Sequence, residues 1–208
     1  MYRHALILLL GITAVSALAW GEEGVQDPLE SLRAELIPAP GAETAYGIPL
    51  SLENVQTFAD WFYTIQLSPG EQALFEKVLA EIPAPCCDDN SVLKCCCRRT
   101  NRICNLTRSA LGLAAWLIHV RGLDEADLRA AVEEWLRFLV PNYYLAVALE
   151  ERGLDPAAYG LGPHEAYESC DARRCEAPLD AGGCGGMGLE VILQAAGKVP
   201  ACCRAEGG

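Results

Sequence analysis

The chain carries 11 cysteines in 208 residues, and six of them crowd one polar stretch: the pair Cys86-Cys87, the triple Cys95-Cys96-Cys97, and Cys104. The others are Cys170, Cys175, Cys184, Cys202 and Cys203. Thiolates are soft ligands that select Cu(I), Zn(II) or toxic ions such as Hg(II). Adjacent cysteines suit multi-metal clusters, in which a thiolate bridges two ions and each ion needs few sulfurs. Such clusters are anionic. Lys94, Arg98, Arg99, Arg102 and Arg108 share the same window, Arg173 and Arg174 sit between Cys170 and Cys175, and Arg204 follows Cys203, so cations are placed to face thiolates. Cys184-Gly185-Gly186-Met187 sets a thioether three positions from a thiolate, a combination that favours Cu(I), and the glycines let backbone approach closely. The expected main site is Cys86, Cys87, Cys95, Cys96, Cys97 and Cys104. Cys184 and Met187, with Cys170 and Cys175, are expected to close it from the other side. Cu(I) is the expected metal and Zn(II) the next choice.

Two other readings compete. In an exported chain, cysteines first suggest a disulfide framework, here a stapled helical scaffold that binds a protein partner. The odd number then leaves one thiol over. Each member of the triple would also need its own distant partner, because neighbouring cysteines rarely bridge each other. The third reading is a thiol oxidoreductase or transferase with Cys104 as nucleophile, since the amino end of a helix lowers a thiol pKa. The sequence has no C-x-x-C, which excludes the thioredoxin-type motif and C-x-x-C-H haem attachment, and it lacks the paired spacings of a zinc ribbon. Export in the unfolded state does not suit an iron–sulfur cluster. His119 reads as a partly exposed structural residue, His164 as a solvent-facing loop residue, and Asp88 and Asp89 as a turn. Asn105-Leu106-Thr107 matches the glycosylation sequon but falls at a helix start. No Ser/His/Asp order, phosphate loop or pair of catalytic carboxylates stands out, so a binding protein is expected rather than an enzyme.

Three segments, PCCDDNS…CCC…CNLTRSALGLAAWLI, then AVEEWLRFLVPN and GGCGGM, resemble a group of exported bacterial cysteine-rich proteins without a settled activity. The group carries P-C-C-x-D-N, C-C-C, C-N-L and G-G-C-G-G-M stretches, and the likeness covers residues 44–188. It implies that Cys86, Cys87, Cys95, Cys96, Cys97, Cys104, Cys184 and Met187 belong to shared motifs. The spacer 98–103 is longer here than in that group, which sets Cys104 apart from the triple.

The ends and the charge bound the setting. After Arg3, residues 5–19 are nearly all apolar, and Ala17-Leu18-Ala19 supplies the small-x-small pattern of a signal peptidase site. Residues 1–19 therefore read as a signal peptide, too short for a membrane span of about 20 residues. The mature chain is expected in the periplasm or outside the cell, without stable membrane insertion. Cleavage removes Arg3 alone among the charged residues, taking the formal net charge from −12 to −13. That surface argues against nucleic acid or anionic lipid as a partner. The expected partners are soft metal ions and a protein that donates or accepts them.

The elements that must position the cysteines read as helices. Asp27-Pro28-Leu29-Glu30 predicts a helix start, with the stop before Pro38 and a Pro/Gly linker over 38–50. Ser51 precedes a helical rhythm of Val55, Phe58, Phe62 and Ile65. Ser68-Pro69-Gly70-Glu71 predicts a capping box and a helix to Pro83. Leu106, Ala110, Leu113 and Leu117 predict one apolar face, and Asp124 caps a helix burying Leu128, Val132, Trp135 and Leu139. Further helices are expected from about 143 to 152, closed by Gly153, near 165–169, and over 187–196. The domain reading is a signal peptide at 1–19, an N-terminal helix and linker at 20–50, and a cysteine-rich helical domain at 51–208. The fold class is all-α, a single helical bundle-like domain with cysteine-bearing loops.

Overall fold

The structure, a computed structural model, describes residues 27–86, 91–94, 102–168, 177–181, 185 and 187–189. The expected signal peptide and the helix expected beyond residue 189 lie outside them.

Local chemistry starts the first helices where the sequence predicts. Asp27 caps α1 (Pro28–Leu36), its carboxylate accepting the Leu29 N–H at 2.9 Å, and Pro28 takes a position where no N–H is required. Next comes α2 (Asn54–Thr64), which carries the predicted rhythm of Val55, Phe58 and Phe62. Ser51 Oγ accepts the Glu53 N–H at 3.2 Å and shapes the preceding turn, and the helix itself has no side-chain cap. Ser68 and Glu71 close a reciprocal box at the start of α3 (Pro69–Leu79), Ser68 N–H donating to Glu71 Oε2 at 2.7 Å and Glu71 N–H to Ser68 Oγ at 3.4 Å.

A three-residue strand, β1 (Arg102–Cys104), runs directly into α4 (Asn105–His119). Asp124 then caps α5 (Glu125–Leu139) by accepting the Asp127 N–H at 3.0 Å. Pro141 both ends α5 and opens α6 (Pro141–Glu151), where a proline costs no hydrogen bond, so α6 starts two residues earlier than predicted. Gly153, at φ +72°, terminates it. A 3-10 turn (Pro156–Tyr159), α7 (His164–Glu168), a second 3-10 turn (Leu179–Ala181) and the strand β2 (Met187–Leu189) follow.

The fold is all-α, and α4 is its centre. Leu106, Ala110, Leu113 and Leu117 are buried as predicted, but so is the opposite face, Arg108, Gly112 and Ala115 included. The one-sided helix expected from the sequence is thus corrected, and Gly112 is the reason. A Cβ there would lie 1.8 Å from the Phe58 carbonyl oxygen and 2.8 Å from the Phe62 nitrogen. Lacking one, α4 lays its backbone against α2. From α5, Trp135 fills the junction, packing edge-on to Phe58 with ring centroids 4.8 Å apart and donating its indole N–H to Ser109 Oγ at 3.0 Å. Trp61 and Trp116 stack at 5.0 Å across the same α2–α4 seam. A satellite cluster fastens α1, as Leu32 packs with Leu145 and Leu149 of α6, and Arg152 pairs with Glu35 at 3.0 Å.

β1 and β2 form a small antiparallel pair in the register Arg102 with Leu189, Ile103 with Gly188 and Cys104 with Met187. The sequence predicted a helix beginning at Met187. That expectation is overturned for its first three residues, because glycine-rich backbone is a poor helix former, costing about 1 kcal/mol per glycine, while β1 offers hydrogen bonds. Among the described residues, no helix is long and apolar enough to cross a membrane.

Candidate functional site

Two of the predicted ligands, Cys86 and Cys104, are described with their side chains, and the fold brings them together. Both are 1% exposed, and their sulfurs lie 3.9 Å apart. That is well beyond a disulfide bond of about 2.05 Å, so the two are not bonded to each other. Thr107 completes the group, with Oγ1 3.3 Å from Cys104 Sγ and 3.7 Å from Cys86 Sγ.

The two sulfurs come from different elements, Cys104 from the start of α4 and Cys86 from the turn after α3. Cys104 is the N-cap of α4, its sulfur accepting the Thr107 backbone N–H at 3.5 Å. The positive end of the helix dipole thus lies at this sulfur. Cys86 lies in the turn after α3, and the chain beyond it is tied back to the last residue of α3 and to that turn: Leu93 N–H donates to Leu79 O at 3.2 Å and Val92 N–H to Ile82 O at 2.8 Å.

The segment that carries the glycines closes over the same end of α4. Asn105 donates its side-chain amide to Gly185 O, and Gly185 N–H donates to Ala177 O at 2.9 Å. Gly185 has φ +73°, and a Cβ on it would meet Leu179 Cγ at 2.9 Å and Asn105 Cβ at 3.3 Å, so the close approach requires glycine. The strand register sets Met187 opposite Cys104. The sequon asparagine is engaged in this contact, which leaves its amide as a structural donor.

One cation of the predicted set is buried here. Arg108, 8% exposed, donates to Asn105 Oδ1 and, at 3.1 Å, to Tyr63 Oη, and its guanidinium lies 5.7 Å from the centre of the Tyr63 ring. Its Nε makes no hydrogen bond, and among the described residues no carboxylate pairs with it. A buried charge without a counter-ion is costly. Tyr144 adds a second unsatisfied group, a buried phenol oxygen with no hydrogen-bond partner. Burial pushes that phenol up, and negative charge on Tyr143, Glu133 and Cys86 pushes it further, with Arg137 opposing in part.

Cys87, Cys95, Cys96, Cys97, Cys170, Cys175 and Cys184 lie outside the described residues, as do Asp88, Asp89, Cys202 and Cys203; Met187 is described as backbone. The sequence reading missed Thr107 and Tyr144. Thr107 had a usable signal, three residues after a cysteine at a helix start. Tyr144 had none, because its position depends on how α6 packs. His119, expected to be a partly exposed structural residue, lies with Nδ1 3.1 Å from Glu71 Oε1 and ties α4 to α3.

A comparison with protein-family models, curated proteins and solved structures finds no match.

Proposed function

We propose that the chain is an exported thiolate protein that binds soft metal ions, Cu(I) first and Zn(II) second, for storage, delivery or detoxification in the periplasm or outside the cell. One observation carries the reading: two buried sulfurs 3.9 Å apart at the amino end of a 15-residue helix. Two sulfurs about 2.3 Å from a shared ion, at tetrahedral to trigonal angles, stand about 3.8 to 4.0 Å apart. Cys86 and Cys104 are the anchor pair, and the neighbouring cysteines of the first window complete the site. Gly185 and β2 lie against the start of α4, and we assign Cys184 and Met187 of that segment, with Cys170 and Cys175, to close the site. Arg108 offsets thiolate charge, which gives a physical reason for its burial with no carboxylate partner among the described residues. A metal donor or acceptor protein is the natural partner for such a site, and the GGCGGM group resemblance agrees with export.

The test is a metal count beside a thiol count on protein isolated from the export compartment without reductant or chelator. Stoichiometric copper or zinc with protected thiols is the expected result. Ten oxidised cysteines and no metal would overturn the reading in favour of a disulfide-stapled scaffold.

A further inference from the structure

A second constellation lies where α6 hands over to α7, and it contains no sulfur. His164 Nδ1 stands between two carboxylates, hydrogen-bonded to Glu150 Oε2 and 3.4 Å from Glu165 Oε2. One donor atom from each of the three residues lies within 4.8 Å of the others. The other oxygen of Glu150 accepts the His164 backbone N–H at 3.1 Å, which fixes the carboxylate's direction. The Tyr143 ring meets the imidazole edge-on at 6.5 Å, and Gly162 N–H donates to Tyr167 Oη at 3.2 Å, so the segment entering His164 is also held. Donors arranged in advance in this way lose little on binding.

Among the described residues the two carboxylates meet no cationic group other than His164. The last turn of α6 carries Glu150 and Glu151 and no basic residue, although a helix C-terminus disfavours negative charge. Arg152, the nearest cation in sequence, pairs instead with Glu35. Neither Glu150 nor Glu165 pairs with a lysine or arginine among the described residues. The glutamate side chains are 28% and 67% exposed and the histidine 33%, so an ion can reach them.

We infer that Glu150, His164 and Glu165 form a site for a divalent first-row metal ion, held through nitrogen and oxygen rather than sulfur. Two carboxylates and a neutral imidazole match the charge of a divalent cation and leave coordination positions open to water. Such a set suits borderline and hard ions, whereas the cysteines select soft ones. The chain would then hold two chemically separate sites.

Mn²⁺ discriminates between them, because it prefers oxygen and imidazole to thiolate. The full chain is titrated with MnCl₂ and the free ion is followed by electron paramagnetic resonance. The expected result is saturable binding of one Mn²⁺, weakened at least about tenfold in Glu150→Gln and in Glu165→Gln and unchanged in Cys86→Ser. Glu165 is largely exposed, so its variant folds even if the other disturbs α6. Absence of saturable binding, or equal binding by wild type and Glu165→Gln, would overturn the inference. Neither result touches the thiolate reading, which the cysteine variant and the copper count report separately.

Discussion

Cys86 Sγ and Cys104 Sγ meet at 3.9 Å across 18 positions of sequence, one sulfur carried by the turn that follows α3 and the other by the first turn of α4. Both sulfurs are buried in the core, so the pair is in place before any ion arrives. If both ligate one ion, Cys86→Ser, Cys104→Ser and the double variant should each lose the same amount of bound metal, a non-additivity expected of residues that act as a unit. Elemental analysis of the three proteins measures it. Losses that simply add would place the two sulfurs on different ions.

Cys104 also caps α4, and the two roles separate by substitution. Serine keeps an acceptor for the Thr107 N–H, whereas alanine removes it. Cys104→Ala should therefore be less stable than Cys104→Ser by about 1 kcal/mol, about 2 to 4 °C in Tm, while both lose metal alike. Thermal melts of the metal-free proteins decide the matter, and equal Tm values would remove the cap from the account.

What the sequence made legible was local. Asp27, Ser68 and Asp124 cap helices within three residues of themselves, and each cap is found where it was read. The burial of both faces of α4 was not legible, because it depends on Gly112 meeting α2, an approach between segments some fifty residues apart. The strand at Met187 was missed for a related reason: its partner, β1, is too short to show any alternation. Of the site, the residue types were readable and the meeting of Cys86 with Cys104 was not. Spacing alone does not say which cysteines a fold superposes. His164 shows the same limit, since its two carboxylate neighbours come from the end of α6 and from the next residue in α7.

Gly112→Ala should be among the most damaging single substitutions in the protein. The new methyl would overlap the Phe58 carbonyl, a backbone atom that moves only if α2 moves. Displacing a helix from the core is expected to cost about 3 kcal/mol, at the upper end of overpacking. Denaturant unfolding measures it, and a loss below about 1 kcal/mol would show that the α2–α4 seam relaxes freely.

Arg108→Met separates stability from binding. Among the described residues no carboxylate pairs with buried Arg108, so removing its charge should leave the metal-free protein as stable as before, or more stable by about 1 kcal/mol. Loss of a cation that offsets thiolates should instead weaken Cu(I) binding about tenfold, the scale of one well-placed charge interaction. Chelator competition alongside unfolding curves provides the check. A variant that binds copper normally would dissociate Arg108 from the thiolate site.

The α3 box should give acid unfolding a specific contribution. The Ser68 backbone N–H, then the Ser68 hydroxyl and then His119 hold the Glu71 carboxyl below its ordinary value of 4.5. An acid whose pKa is lowered by folding stabilises the native state above its unfolded pKa, and that contribution disappears as pH falls through the folded value. Glu71→Ala should therefore have a lower Tm than wild type at pH 7, and the difference should shrink from about pH 5 downward as the wild-type carboxylate is protonated. Parallel melts from pH 7 to pH 3 follow the gap. A difference that stays constant over that range would mean that Glu71 acts through helix propensity, with no part for its charge at the amino end of α3.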